Sequence, residues 1–207
     1  MDYLISIMLF AISTSITPGP NNIMVMTSSL NYGAKKSLPL LSGICVGFAL
    51  MLLLVGLGMG ELFNLFPALS LIIKCIGTIY LLYLAWLIVN SGSVSSNIQK
   101  AKPLGFFKGA IFQWVNAKAW VVAIGAIAAF TSSGEENLIQ NLTISLAFLV
   151  FSFPCVGVWL LFGSLLREKL QNQQHLKLFN VVMSLLLVLS VLPVLSDVIN
   201  QLRSHYL

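Results

Sequence analysis

An interrupted apolar segment near the start of the chain carries groups that could bind an anion. Pro18 and Pro20 lack backbone N–H groups and Gly19 between them is unrestricted, so no continuous helix is expected here. Within a membrane, such a break persists only where its freed polar groups face protein or a water-filled cavity. Asn21 and Asn22 are expected to cap the restarting helix, whose first amides carry partial positive charge. The stretch predicts a carboxylate site, with a simple proline kink as the alternative.

A lysine lies deep within a second apolar segment. At about 1.5 Å per residue, Lys118 is roughly 18 Å into the segment 106–130, near the middle of a roughly 30 Å hydrocarbon core. An ionisable group at that depth is costly unless it is paired or hydrated. Because no acidic residue lies in the middle of any apolar segment, an anionic group on a cargo is the natural counter-charge. The alternative is a structural lysine held by backbone carbonyls or by Asn116.

Other polar or reactive residues carry weaker signals. Tyr80 and Tyr83 occupy neighbouring helix positions, and at least one hydroxyl is expected to face the interior, so Tyr80 is a candidate binding residue. Each of the three cysteines stands alone within an apolar run, which predicts packing residues rather than disulfides or metal ligands. The lack of intramembrane carboxylates argues against a divalent-cation site.

Composition places these residues in an integral membrane protein. Of the 207 residues, 58% are hydrophobic and 8% are charged, too few to cover a soluble domain of this size. The basic residues are scattered among apolar runs and make no patch for nucleic acid. We expect a protein that is not an enzyme, with no catalytic residues, no resident metal and no cofactor.

Six apolar windows are each long enough to span a bilayer, which takes about 20 residues. The windows are roughly 3–26, 38–60, 69–89, 106–130, 142–166 and 178–199. Only short polar segments separate them, so residues 1–207 are predicted to form a single all-α polytopic domain.

Charge placement predicts how this bundle is oriented. Alternate loops hold the basic residues Lys35, Lys36, Lys100, Lys102, Lys108, Arg167, Lys169 and Lys177, whereas the opposite side holds Arg203. The positive-inside rule then places the basic loops in the cytoplasm and both termini outside. Splitting the chain into pseudo-repeats at about 1–97 and 104–207 gives three helices each, so the halves would be inverted, with the site where broken helices meet.

Several motifs together resemble the LysE/RhtB superfamily of bacterial amino-acid exporters, over nearly the whole chain. The sequence Thr17-Pro18-Gly19-Pro20-Asn21 is similar to its first-helix signature, and Gly77 through Trp86 resembles its Gly-x-x-Tyr-Leu pattern. Asn116-Ala117-Lys118 resembles the Asn-Pro-Lys element of helix four, with Ala117 in place of proline. That replacement predicts a less sharply broken helix four. A small non-proline residue at this position, preceded by Gln113-Trp114-Val115-Asn116, is also similar to the cysteine and O-acetylserine exporter branch.

The resemblance implies a multi-pass bacterial inner-membrane exporter of small neutral amino acids. Cysteine or O-acetylserine is the favoured cargo and threonine or homoserine the next. Amides after Pro20, with Asn21 and Lys118, would bind the carboxylate, while Gln113 and Asn116 would orient the polar part of the cargo. Rocking of the two halves would give alternating access. Titration of Lys118 would link binding to proton movement, and both that coupling and homo-oligomer assembly are left open.

Two alternatives of the same fold are weaker. An intramembrane thiol–disulfide oxidoreductase needs two thiols that can meet, plausibly on helices one and four, and those helices contain no cysteine. A metal-ion exporter would need intramembrane carboxylates or histidines, which the middle of the six windows lacks.

Overall fold

The protein is described by a computed structural model that covers residues 2–58, 65, 67–90, 103–132, 136–169 and 173–206. Within these residues the regular structure is helical and no strand is present. The helices are α1 (Asp2–Ile16), α2 (Pro20–Tyr32), α3 (Ala34–Gly56), α4 (Pro67–Asn90), α5 (Phe106–Phe112), α6 (Ala117–Phe130), α7 (Asn137–Lys169) and α8 (Gln173–Tyr206). A single 3₁₀ turn, Gln113–Val115, follows α5.

The first helix breaks where the prolines predict it. α1 ends at Ile16, α2 restarts at Pro20, and the two axes are bent by 55°. Pro20 occupies the first helical turn, where its missing N–H costs no intrahelical hydrogen bond. Gly19 precedes it in an extended conformation, with φ 177°.

Helix four is also broken, and more sharply, so the expectation of a softer break is wrong. The segments Phe106–Val115 and Ala117–Phe130 are bent by 72°. Asn116 adopts an extended conformation at φ −86° and ψ 104°, and its side chain accepts a hydrogen bond from the Lys118 backbone N–H at 3.1 Å. This side-chain cap satisfies a backbone donor at the restart, so α6 begins cleanly without a proline at position 117.

Four of the predicted membrane windows have candidate spans among the described residues. Two are the continuous helices Ala34–Gly56 and Asn137–Arg167, and two are the bent pairs that join α1 to α2 and α5 to α6. The other two windows fall on α4 and α8, where the shorter apolar segments Cys75–Asn90 and Lys177–Leu189 are found. The structure therefore supports an all-helical protein with two to four candidate spans. The six-span count stays a prediction, and the Lys100 and Lys102 loop lies outside the described residues.

Packing around the breaks depends on close helix approach. α3 contacts α5, and a Cβ atom at Gly43 would collide with the Phe106 backbone, while one at Gly47 would lie 2.5 Å from the Ala110 Cα. This small-residue pair therefore allows the backbones of α3 and α5 to approach closely. α7 contacts α1, α2 and α3, and α4 contacts α8. Two buried apolar clusters result, one containing Ile44 and Val156 and the other containing Phe48 and Ala119.

Candidate functional site

The two breaks meet and line one cavity with the middles of α3 and α7. Its polar wall includes Ser15, Asn21, Asn22, Asn116, Lys118 and Ser152. Its apolar wall includes Ile44, Cys45, Phe48, Ala119, Val122 and Val156, which come from both buried clusters. A cavity lined by both polar and apolar side chains suits a small ligand that has charged groups and a short apolar part.

Lys118 connects the second break to the first. Its Nζ donates to the Thr17 hydroxyl oxygen at 2.8 Å, to the Thr17 carbonyl at 3.2 Å and to the Pro18 carbonyl at 3.3 Å. These carbonyls follow the C-terminus of α1, where a helix carries partial negative charge and favours a cation. All three acceptors are uncharged oxygens. The lysine is thus held by backbone carbonyls, as the structural alternative expected, while its charge has no anion among these partners.

Gly19 leaves the space in which the lysine side chain lies. A Cβ atom at this position would be 3.1 Å from both Cδ and Nζ of Lys118. Because the backbone of Gly19 is extended, the conformation itself would accept any residue. The glycine therefore gives the lysine side chain room between the breaks, and a larger residue would crowd it.

A network of side-chain amides joins the breaks on another side. Asn21 Nδ2 donates to Gln113 Oε1 at 2.9 Å, and Gln113 Nε2 donates back to Asn21 Oδ1 at 3.1 Å. Asn116 Nδ2 also reaches Asn21 Oδ1, at 3.3 Å, and Gln113 Nε2 donates to the Gly109 carbonyl. Gln113 is fully buried, so these bonds replace those that its amide would make with water. The network fixes the orientation of Asn21 at the start of α2.

The expected capping of α2 by Asn21 and Asn22 is wrong. The cap residue is Gly19, which makes no side-chain bond, and both asparagines lie inside the first turn. Asn22 instead turns backwards, and its Nδ2 donates to the carbonyls of Ser15 at 2.9 Å and Thr17 at 2.8 Å. It therefore satisfies carbonyls at the end of α1, which the bend between the helices brings within reach of its amide.

The start of α2 still offers backbone donors. The first hydrogen bond of the helix runs from the Ile23 N–H to the Gly19 carbonyl at 3.0 Å. The amides of Asn21 and Asn22 precede that bond, and Pro20 has no amide hydrogen. Both residues line the cavity, so the partial positive charge of this helix end lies at its wall.

Five of the nine predicted site residues line the cavity, and four do not. Gly19, Pro20, Asn21, Asn116 and Lys118 are in the wall. The others do not belong to the lining: Thr17, Pro18, Gln113 and Tyr80. Of these four, Thr17 and Pro18 bind the Lys118 side chain and Gln113 binds Asn21, so these three contact a lining residue. A binding role for any of the nine residues stays a prediction.

Tyr80 packs against the second break from outside the cavity. Its ring lies 5.3 Å from that of Phe112 and 6.4 Å from that of Tyr83, measured between centroids. Tyr80 is half-buried, whereas Tyr83 is 52% exposed, so the tyrosine facing the interior is Tyr80. Its position supports the 3₁₀ turn, whose Val115 carbonyl lies against Gly77 of the same helix as Tyr80.

Sequence reasoning missed a pair of serines. Ser15 Oγ and Ser152 Oγ are 3.1 Å apart and join the end of α1 to α7 inside the cavity wall. The position of Ser15 two residues before the Thr17-Pro18 motif was a usable signal. Ser152 gave none, because its place opposite the break depends on how α7 crosses α1.

No group of three metal-binding side chains occurs in the part of the chain that the structure describes. Cys45, Cys75 and Cys155 are free thiols, and Cys45 and Cys155 are buried on α3 and α7. Cys45 belongs to the apolar wall of the cavity.

Comparison with known proteins identifies a family for the chain. Residues 12–196 match the family described as LysE type translocator. The chain is 30% identical over 182 residues to proteins named cysteine/O-acetylserine efflux protein from Salmonella typhimurium (strain LT2) and Escherichia coli (strain K12). Each alignment covers 86% of this chain and 90% of the relative. No solved structure matches the chain.

Proposed function

The chain belongs to the LysE type translocator family and is a transporter rather than an enzyme, and from this premise we propose that it exports small neutral amino acids or their derivatives. Cysteine or O-acetylserine is the favoured cargo, because relatives with that name align along most of the chain, and threonine or homoserine is the next. The observation that carries the proposal is that the two broken helices meet at one cavity, with Lys118 on its wall.

The cavity wall matches the chemistry of a zwitterion with a short side chain. The amides at the start of α2 and the Lys118 ammonium both favour a carboxylate, and both lie at the wall. The apolar lining residues Ile44, Cys45 and Phe48 would contact the methylene and terminal group of the cargo. Asn116, which donates to Asn21, would orient the polar part, and Gln113 would contribute by holding Asn21.

Lys118 would then exchange one set of partners for another. In the structure its ammonium is held by the neutral oxygens of Thr17 and Pro18. A carboxylate is a stronger acceptor than a carbonyl for a charged donor, so cargo would compete for Nζ and weaken this link between the breaks. Loosening the link on binding would favour the rocking motion that opens the other side.

The same premise supports a topology. We place six spans in a bacterial inner membrane, with both termini outside, because the relatives come from enterobacteria and the basic residues alternate between sides. Inverted repeats are supported by paired contacts: α7 packs on α1 and α2 as α3 packs on α5 and α6. Alternating access by rocking of the two halves follows from this plan. Proton coupling through Lys118 and homo-oligomer assembly are separate hypotheses, which the export proposal does not require.

The test is efflux of cysteine, O-acetylserine, threonine and homoserine from cells that overproduce the protein. Selective release of one or more of these, above that from cells with the empty vector, is the expected result. Release must fall to the vector level in the Lys118→Ala variant while membrane insertion, checked on an immunoblot of the membrane fraction, is retained. Failure of the inserted wild-type protein to release any of the four would refute the proposal.

A further inference from the structure

We propose that the side-chain carbonyl oxygen of Asn22 accepts a hydrogen bond from the amino group of the cargo and so selects cargo that carries an amine. The inference rests on the proposed function and deepens it, because it assigns the second charged group of the zwitterion. It concerns a residue next to the Thr17–Asn21 motif rather than within it.

The orientation of the Asn22 amide is fixed by its own hydrogen bonds. Both bonds of Nδ2 go to backbone carbonyls, of Ser15 at 2.9 Å and of Thr17 at 2.8 Å, and a carbonyl can only accept. The NH₂ group must therefore face α1, which turns Oδ1 the other way. Asn22 is 3% exposed, and its Oδ1 has no hydrogen-bond partner.

An acceptor buried in this way needs a donor. Leaving it unsatisfied costs free energy. The atom has almost no accessible surface, so a donor from water or from cargo reaches it only after the side chains around it shift. Asn22 is part of the cavity wall, so a donor carried by the cargo is close at hand. Of the two charged groups on an amino acid, the carboxylate only accepts, whereas the ammonium has three N–H donors.

The acceptors on the α1 side of Asn22 favour a cation, whereas the amides of α2 and the Lys118 ammonium, which shares the Thr17 carbonyl with Asn22, favour an anion. The neighbours of Asn22 in the wall include Ser15 and Ser152, whose hydroxyl oxygens offer further lone pairs. Ser15 lies in the last turn of α1, and the C-terminal end of a helix attracts positive charge. A zwitterion with its carboxylate at Lys118 and its ammonium towards Ser15 would thus align with both helix ends.

Asn141 provides a matched control within the same chain. It is also fully buried, its Nδ2 also donates to a backbone carbonyl, that of Leu53 at 2.9 Å, and its Oδ1 also has no partner. It packs against Gly56 rather than the cavity. A comparison of Asn22→Ala with Asn141→Ala separates loss of a buried amide from loss of a cargo contact.

The experiment is counterflow uptake of radiolabelled cysteine into proteoliposomes that contain the full chain, with unlabelled competitors. Cysteine is compared with 3-mercaptopropionate, which keeps the thiol and carboxylate but lacks the amine. The measured quantity is the ratio of their half-inhibitory concentrations, which does not depend on how much protein is active. If the wild type carries another of the four amino acids instead, that amino acid and its desamino acid are used.

The wild type should prefer the amine by about tenfold or more, and Asn22→Ala should lower that ratio by about tenfold, the size expected for one charge-assisted hydrogen bond. Asn141→Ala should leave the ratio unchanged. A ratio in Asn22→Ala equal to that of the wild type overturns the inference while leaving export intact. No uptake of any of the four by the wild type overturns the proposed function instead.

Asn22→Ala also removes two bonds to the end of α1 and could abolish uptake. In that case Asn22→Asp tests the inference, because it keeps acceptor oxygens at the position and adds negative charge. Its ratio should equal or exceed that of the wild type, since a carboxylate attracts an ammonium more strongly than an amide oxygen does. A ratio several-fold below the wild type would overturn the inference.

Discussion

The two broken helices reach the same geometry by different chemistry. In the first, Pro18 and Pro20 remove backbone donors and the chain bends by 55°. In the second, Ala117 has a normal backbone, and the 72° bend depends on the side chain of Asn116 instead. A break made by proline is local, whereas a break made by a side-chain cap can be lost through one substitution.

The breaks also contribute different groups to the cavity. The first lines it with the start of α2 and the side chains of Ser15, Asn21 and Asn22, while its Thr17 and Pro18 carbonyls hold Lys118 from outside the lining. The second presents side chains, and Lys118, Asn116 and Gln113 all donate to groups of the first. We therefore expect substitutions in the second break to distinguish effects on cargo binding from effects on helix geometry.

Removing the charge that the second break supplies should have the largest effect. Lys118→Ala is expected to lower export by about 10- to 150-fold, because a hydrogen bond to a charged group contributes about 1.5–3 kcal/mol. The measurement is cargo efflux normalised to inserted protein. Lys108→Ala is the control, because Lys108 is an exposed lysine on the other side of the same break. Equal export by the two variants would contradict the role given to Lys118.

The amide pair that connects the breaks should show strong coupling. Asn21→Leu leaves the buried Gln113 amide oxygen without its donor, and Gln113→Leu leaves the half-buried Asn21 amide nitrogen without its acceptor, so each should destabilise the protein by about 1–3 kcal/mol. The double variant removes both partners, and its loss should be clearly less than the sum of the two. Thermal unfolding of the four purified proteins in detergent measures this cycle. Additive losses would mean that the reciprocal pair does not hold the breaks together.

The cap of the second break should have a smaller effect. Asn116→Ala removes the acceptor for the Lys118 N–H and is expected to cost about 1 kcal/mol of stability. Asn116→Asp keeps that acceptor and should retain more of the stability, although it loses the bond from Nδ2 to Asn21. Melting temperatures should therefore rank wild type, Asp variant, Ala variant. An Ala variant as stable as the wild type would show that the bend does not need this cap.

Converting the second break to the chemistry of the first should have the smallest effect. Ala117 is the first residue of α6, where proline fits, and the extended conformation of Asn116 suits a residue that precedes proline. Ala117→Pro is expected to be neutral or to stabilise by about 0.4–1 kcal/mol, through a less flexible unfolded chain. Export and melting temperature should match or exceed those of the wild type. A clear loss of either would mean that the two breaks are not interchangeable.

The same contrast explains what the sequence could predict. Proline and glycine act through their own backbone, so the break at residues 17–20 could be located without the structure. Lys118 could be identified as a candidate because an ionisable residue in the middle of an apolar segment is costly unless it is paired, hydrated or functional. The direction in which Asn22 donates and the contact of Ser15 with Ser152 could not be found, because both depend on a bend and a helix crossing that bring distant carbonyls and hydroxyls together. The sharp break at Ala117 was not predicted, because the side-chain cap from Asn116 takes the place of the expected proline.

The central claim is that cargo carboxylate binds where the breaks meet, at Lys118. The most direct test is the shift in melting temperature that millimolar cysteine causes in the purified protein, because a ligand that binds only the folded state raises that temperature without any transport step. Wild type and Lys108→Ala should show the same upward shift, and cysteamine, which lacks the carboxylate, should cause little. Lys118→Ala should show almost none. An undiminished shift in Lys118→Ala would contradict the account and place the carboxylate elsewhere.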